Sequence, residues 1–133
     1  IRLKPDFAEA YSNRGNTLKN LGRVDEALAS CDAAIKLKPD FPEAHIIRGA
    51  ILKELGQLSD ALAEFDKAIQ LNPNSAEAYS NHGATLQNLG HLNEALASYE
   101  QALIIDPNSI AALNNSGSAL KKLGQISIKL KKN

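Results

Sequence analysis

The stretch Leu18-Lys-Asn-Leu-Gly-Arg-Val-Asp-Glu-Ala-Leu28 returns as Leu52-Lys-Glu-Leu-Gly-Gln-Leu-Ser-Asp-Ala-Leu62 and again as Leu86-Gln-Asn-Leu-Gly-His-Leu-Asn-Glu-Ala-Leu96. A fourth copy, Leu120-Lys-Lys-Leu-Gly-Gln-Ile-Ser-Ile-Lys-Leu130, begins the same way and then loses the acid and the alanine. Each copy starts 34 residues after the one before. A fixed period of this size signals stacked units, none of which can bury its own apolar face without a neighbour.

Two kinds of break keep the same step. Pro5, Pro39, Pro73 and Pro107 mark one. The last three each close an apolar-periodic run, where a proline ring removes a donor and restricts the residue before it. Gly22, Gly56, Gly90 and Gly124 mark the other, at the place where a left-handed helix C-cap needs glycine. Each unit therefore reads as two helices, A before the glycine and B between glycine and proline. In the first full unit these are expected over residues 8–21 and 26–36. Asp25, Ser59 and Asn93 are the expected N-caps of the B helices. Asp6, Asp40 and Asn74 or Ser75 are those of the A helices. Tyr11, Gly15, Leu18 and Leu21 form the apolar stripe of the first A helix. Ala27, Leu28, Cys31, Ala34 and Ile35 form that of its B helix. Small residues at Gly15 and Ala27, repeated as Gly49 and Ala61 and as Gly83 and Ala95, let the two helices approach closely.

Composition narrows the function. Fifteen basic and fifteen acidic residues cancel, which gives no basis for a nucleic-acid or membrane-surface partner. The single cysteine forms no internal disulfide and suits a reducing compartment, so a cytoplasmic location is the default expectation. No apolar run has the length of a membrane helix, and the first residues do not read as a signal peptide.

Tyr11-x2-Arg14-Gly15-x2-Leu18, with Ala27, Cys31, Ala34 and Pro39, resembles the tetratricopeptide repeat (TPR) pattern. The second unit carries His45, Gly49, Leu52, Ala61, Phe65, Ala68 and Pro73. The third carries Tyr79, Gly83, Leu86, Ala95, Tyr99, Ala102 and Pro107. Departures are Cys31 in place of a large aromatic, and Arg14, Arg48 and His82 where the family often has Leu. The resemblance implies an all-α fold, a right-handed superhelix (solenoid) of stacked antiparallel hairpins. Its parts are the tail of a preceding repeat at 1–7, repeats at 8–41, 42–75 and 76–109, and a partial, degenerate repeat at 110–133. Residues 126–133 are expected to be frayed or atypical, and the uncapped ends to leave room for self-association.

Nothing in the pattern asks for catalysis, a metal or a cofactor. His45 stands where the other units have Tyr11, Tyr79 and Leu113 and reads as a packing residue. No two histidines share the spacing of a metal site. Cys31 aligns with Phe65 and Tyr99 and reads as a small buried hydrophobe. Glu9, Glu43 and Glu77 at the helix starts, and Lys19, Lys53 and Lys121 near the ends, suit the helix dipole.

By resemblance, the A helices line a concave groove that binds a peptide or protein. The lining residues are Ser12, Asn13 and Asn16, then Ile46, Ile47 and Ala50, then Ser80, Asn81 and Ala84, and finally Asn114, Asn115 and Ser118. Asn13, Asn81 and Asn115 hold one equivalent position, with Ile47 as the interruption. A carboxamide both donates and accepts, so a row of them suits the backbone of an extended peptide. The row is similar to those in the repeat regions of O-linked N-acetylglucosamine transferases. Ile46 and Ile47 are expected to form an exposed apolar anchor, or else to pack on a neighbouring helix. The clamp with which some family members hold a terminal carboxylate is not reproduced. Its positions hold Ser12 and Asn16, Ile47, Glu77 and Asn81, and the cations are missing. The expected role is a non-catalytic interaction scaffold. The alternatives are the targeting arm of a larger enzyme, such as a glycosyltransferase, or a self-assembling structural module.

Overall fold

The computed structural model describes residues 7–132, and every regular element among them is a helix. In chain order these are α1 (Phe7–Asn20), α2 (Val24–Leu37), α3 (Pro42–Glu54), α4 (Leu58–Leu71), α5 (Ala76–Asn88), α6 (Leu92–Ile105) and α7 (Ile110–Lys132). They fall into two compact units, Ile1–Pro73 and Asn74–Asn133. In the first, α1 pairs with α2 and α3 with α4, and α3 also packs on α1 and α2. In the second, α5 pairs with α6, and α7 packs on both.

Glycine sets the turn inside each hairpin. Gly22, Gly56 and Gly90 have φ of 77°, 79° and 85°, a region that side chains rarely tolerate. The left-handed residue turns two amides back onto the finished helix. Gly22 N–H donates to Lys19 O at 3.0 Å and Arg23 N–H to Leu18 O at 2.9 Å. The same pair of bonds recurs from Gly56 and Gln57, and from Gly90 and His91. This is the Schellman closure, and it satisfies carbonyls that a helix end otherwise leaves open.

Because the turn is so tight, the B helices begin earlier than expected. Arg23, Gln57 and His91 hold the N-cap positions, and none offers a side-chain cap. Asp25 lies in the first turn of α2 rather than at its cap, and Ser59 and Asn93 likewise lie inside α4 and α6. The A helices are corrected similarly. Phe41, not Asp40, caps α3, with Pro42 in the first position. Ser75 caps α5 as expected, accepting from Ala78 N–H at 3.1 Å. Residues 1–6 of the expected tail, Asp6 among them, lie outside the described residues, as does Asn133, while Phe7 already opens α1.

The hairpins are held by one recurring contact. A side chain on helix B enters a notch left by a glycine on helix A. A Cβ at Gly15 would lie 2.9 Å from Cys31 Sγ, at Gly49 2.7 Å from the Phe65 ring, and at Gly83 2.5 Å from the Tyr99 ring. Cys31, Phe65 and Tyr99 are all fully buried, flanked by the fully buried alanines of their helices. Each large side chain placed there contributes about 1.5–3 kcal/mol of burial. Cys31 is thus the small buried hydrophobe that the sequence indicates. In unit 1 it joins Leu18, Ala27 and Ile51 in a cluster against which Val24, Leu28 and Ile47 pack. A second cluster of Ala8, Ala34, Phe41 and Ala44 joins the start of α1, the end of α2 and the start of α3.

The last repeat departs from expectation. Gly124 makes no turn: α7 continues through it to Lys132, so of the two outcomes expected for the last residues, frayed or atypical, residues 126–132 are atypical, being helical without a hairpin. A turn at Gly124 is stabilised only when the following helix can pack back. Ser127-Ile-Lys129 stands where Asn93-Glu-Ala95 does in the third repeat, so the small buried alanine of helix B is replaced by lysine. With no packing to reward the left-handed glycine, the helix continues. Lys121 is accordingly mid-helix here, not near a helix end.

The notch contact predicts opposite effects of one substitution at two glycines. Gly83→Ala should destabilise the chain by about 1–3 kcal/mol through overpacking against Tyr99. Gly117→Ala, where a Cβ meets nothing within 4 Å, should stabilise it by up to about 1 kcal/mol through helix propensity. Urea unfolding of the two variants checks this; equal shifts would show that the notch is not under constraint.

Candidate functional site

The exposed side of the A helices carries amide side chains, and burial decides which of the expected lining residues belong to it. In unit 1, Asn13 and Asn16 are exposed on α1, and Ala50 is half-buried on α3. In unit 2, Asn81 and Ala84 are half-buried on α5. On α7, Asn114 and Ser118 are exposed and Asn115 is half-buried. Ser12 and Ser80 do not belong, being only 2% and 6% exposed. They point into the helix packing.

The isoleucine pair needs the same correction. Ile46 occupies the position of Ser12 and Ser80, and it too is buried, at 6% exposure. Ile47 is half-buried against the Leu18, Ala27, Cys31 and Ile51 cluster. The pair is not an exposed anchor: Ile46 is interior, and Ile47 packs α3 onto the first hairpin, the alternative that the sequence left open. Residues the sequence reading missed complete the face. Beside Asn13 and Ser12, a recess of about 340 Å³ is lined also by Glu9, Lys38, Phe41, Pro42 and Glu43. Lys38 Nζ sits 5.2 Å from the centre of the Phe41 ring, a cation–π contact that holds the lysine at the rim. In unit 2, Gln87 on α5 accepts from Tyr99 Oη at 2.8 Å and donates to Ser118 on α7 at 3.3 Å. That amide ties α5, α6 and α7 together.

A buried polar cluster lies elsewhere in unit 1. Glu64 on α4 is 8% exposed, and both of its oxygens are used. Oε1 lies 3.0 Å from His45 Nδ1, and Oε2 accepts from Arg48 at 2.6 Å. The other ring nitrogen, His45 Nε2, lies 3.2 Å from the Pro39 carbonyl oxygen. A carboxylate and a carbonyl both only accept, so the two contacts together suit the doubly protonated imidazolium. Arg48 Nε lies 3.0 Å from Asp32 Oδ1 on α2 but off the N–H axis, which makes it an ion pair rather than a directed hydrogen bond. The hydrogen bond to Glu64 raises the His45 pKa above the ordinary imidazole value, against the opposing effect of burial. Burial alone would raise the Glu64 pKa, but the hydrogen bonds from His45 and Arg48 outweigh it and hold it below the usual carboxylate range. His45 is therefore not simple packing. It is one arm of a polar network, centred on Glu64, that spans α2, α3, α4 and the turn between α2 and α3.

The remaining reactive groups are quiet. Burial, reinforced by Asp32, pushes the Cys31 thiol up to about 11, so at neutral pH it is a thiol and not a nucleophilic thiolate. Burial pushes the Tyr99 phenol up to about 12. Among the described residues no cluster of three metal-ligating side chains occurs, and no helix is long and apolar enough to cross a membrane.

Paired antiparallel helices, a glycine-turned hairpin and a 34-residue step define an α-hairpin repeat of the solenoid class. Residues 8–41 match the family described as Tetratricopeptide repeat, and residues 49–90 and 89–124 match that described as TPR repeat. The chain belongs to the tetratricopeptide repeat family. Its fold is similar to that of the first TPR domain of Spaghetti (RPAP3) bound to an HSP90 peptide. The TM-score is 0.84 at 27% identity, over 93% of this chain and 98% of that one. The first TPR domain of human RPAP3 gives a TM-score of 0.86 at 27% identity, over 92% and 96% of the two chains. The O-GlcNAc transferase of Thermobaculum terrenum gives 0.84 at 23% identity, covering 90% of this chain and 23% of that chain, a likeness of fold alone. Protein FlbA of Caulobacter vibrioides is 47% identical over 36 residues, which are 27% of this chain and 6% of that protein.

The polar cluster makes unit 1 sensitive to pH with a definite sign. A raised histidine pKa contributes stability that is full below the ordinary imidazole value and is lost as pH rises through the folded-state value. A lowered Glu64 pKa contributes stability that is full above the ordinary carboxylate value and is lost as pH falls through the folded-state value. Stability from the cluster is therefore greatest between those limits. Raising pH from about 6 to about 9 should lower the melting temperature of the wild type more than that of His45→Gln, which cannot titrate. Glu64→Ala, which leaves two donors without their acceptor, should cost about 2–3 kcal/mol. Identical pH profiles for wild type and His45→Gln would remove the charged role of His45.

Proposed function

We propose that the chain is a non-catalytic interaction module that holds an extended peptide segment on its helix-A face. Each unit offers its own contacts to a peptide backbone, Asn13 in unit 1 and Asn81 with Asn115 in unit 2. The observation that supports this most directly is a division of labour between adjacent residues. Ser12 and Ser80 turn into the core, while the next residue, Asn13 or Asn81, keeps a carboxamide at the surface. A carboxamide matches one peptide N–H and one C=O together, so the contacts read the backbone and tolerate varied side chains. Asn16, Asn114, Ala50 and Ala84 flank these contacts, the alanines leaving room for a chain to lie close. The recess beside Asn13, with Glu9, Glu43 and Lys38 at its edge, is where a partner's side chain enters.

The peptide differs in kind from one recognised by its acidic end. The Spaghetti domain is bound to an HSP90 peptide. In this chain the cations of a carboxylate clamp are absent, and Glu77 stands at one of the positions. An internal, extended segment fits better than a free carboxylate.

Selection from a library of internal peptides, followed by titration, tests the reading. Asn81→Ala with Asn115→Ala should weaken a selected peptide by about tenfold or more, since each lost hydrogen bond is worth about 1 kcal/mol. N-methylation of the peptide's backbone amides should abolish binding, and circular dichroism should show an equally helical variant. Undiminished affinity in the double variant would place binding elsewhere.

A further inference from the structure

We propose that α7 is a docking site for an acidic amphipathic helix of a partner protein, which seats on it as α2, α4 and α6 seat on α1, α3 and α5. The same positions recur four times along the chain, and their surroundings differ at the fourth. Leu18, Leu52 and Leu86 are 6%, 6% and 4% exposed, each covered in its hairpin, whereas the equivalent Leu120 is 57% exposed. Gly15, Gly49 and Gly83 receive Cys31, Phe65 and Tyr99, whereas nothing lies within 4 Å of a Cβ at Gly117. Leu113, one turn before that glycine, is exposed as well. The opposite side of α7 is occupied in the normal way, with Ala112 and Ala119 fully buried. One face of α7 is thus packed within unit 2, and the face that holds a B helix in the other three hairpins is open.

The three filled seats specify what fits the empty one. Each occupant carries alanine, then four residues later a side chain that fills the notch, then three residues later alanine: Ala27-Cys31-Ala34, Ala61-Phe65-Ala68 and Ala95-Tyr99-Ala102. Residues 126–133 do not carry this pattern, and neither do the same residues of a second copy. Lys129 stands where the first alanine is required and Asn133 where the notch-filling side chain is required. Charge gives the second criterion. Residues 110–132 contain five lysines and no acid. The helices in the filled seats open with acids, Asp25 and Glu26, Asp60, and Glu94. An antiparallel occupant places its first turn near Lys121 and Lys122, so an acidic start adds attraction there. The partner chemistry is therefore an amphipathic helix of the form Ala-x3-Phe/Tyr-x2-Ala with an acidic first turn.

The test adds a helix-stapled peptide of residues 92–105, its staple on the face away from Tyr99, to the 133-residue chain. Calorimetry should show saturable one-to-one binding. Replacing the tyrosine of the peptide by alanine should weaken binding by more than about tenfold, as expected for an aromatic anchor in a pocket. Gly117→Val, which fills the notch, should have a similar effect, as should Leu120→Glu, with both proteins as helical as the wild type. Failure of the stapled helix to bind, or equal binding by both variants, overturns the proposal. So does sedimentation of the free chain as a dimer that Leu120→Glu dissociates, because a second copy would then be the occupant.

Discussion

Each complete hairpin depends on the contact of a helix-B side chain with a glycine notch on helix A. Tyr99 fills the space at Gly83 so closely that no Cβ fits there, and Phe65 does the same at Gly49. This close approach lets alanines, which bury little area, serve as the main core residues of α2, α4 and α6. It also explains why the glycine turn is worth making. The left-handed conformations at Gly22, Gly56 and Gly90 bring back a helix that has somewhere to pack. At Gly124 the following segment has lost the alanine that would face the notch, and the chain makes no turn.

Polar residues in this frame divide by reach. A serine hydroxyl is short enough to stay within the packing, as at Ser12 and Ser80, while an asparagine one position later remains at the surface. The groups that the proposed function uses on the helix-A face are these carboxamides. Charge is paired in the interior of unit 1 at the cluster where Glu64 takes the place held by Ser30 and Ser98 in the other hairpins. The cluster joins three helices of unit 1 and leaves the Asn13 face untouched. Stability there and the recognition proposed for the asparagine face are thus separable.

The repeat, the hairpins and the notch-filling residues were legible because glycine, proline and alanine recur at fixed positions for steric reasons. Helix starts were less so. Asp25, Ser59 and Asn93 are good capping residues in isolation, but the Schellman turn places Arg23, Gln57 and His91 at the cap first. Ile46 misled because its equivalents are serines, whose polarity suggested a solvent-facing position that is in fact interior. His45 misled in the opposite direction, since its equivalents Tyr11 and Tyr79 suggested simple packing. Two signals could have corrected it. Glu64 interrupts an apolar stripe immediately before Phe65, and Arg48 replaces a usual leucine one turn after His45. Three charge-bearing departures in one hairpin point to a common partner.

Residue-resolved hydrogen exchange is the most direct measure of whether notch contacts hold this molecule together. Amides of paired helices should open only with their hairpin, so α5 and α6 should exchange slowly and together. The half of α7 beyond Leu120, helical but without a B helix in its seat, should exchange much faster than the equivalent positions of α6. Protection across residues 121–131 as strong as that in α6 would contradict the account, since it would mean that a helix lacking the contact is as secure as one that has it.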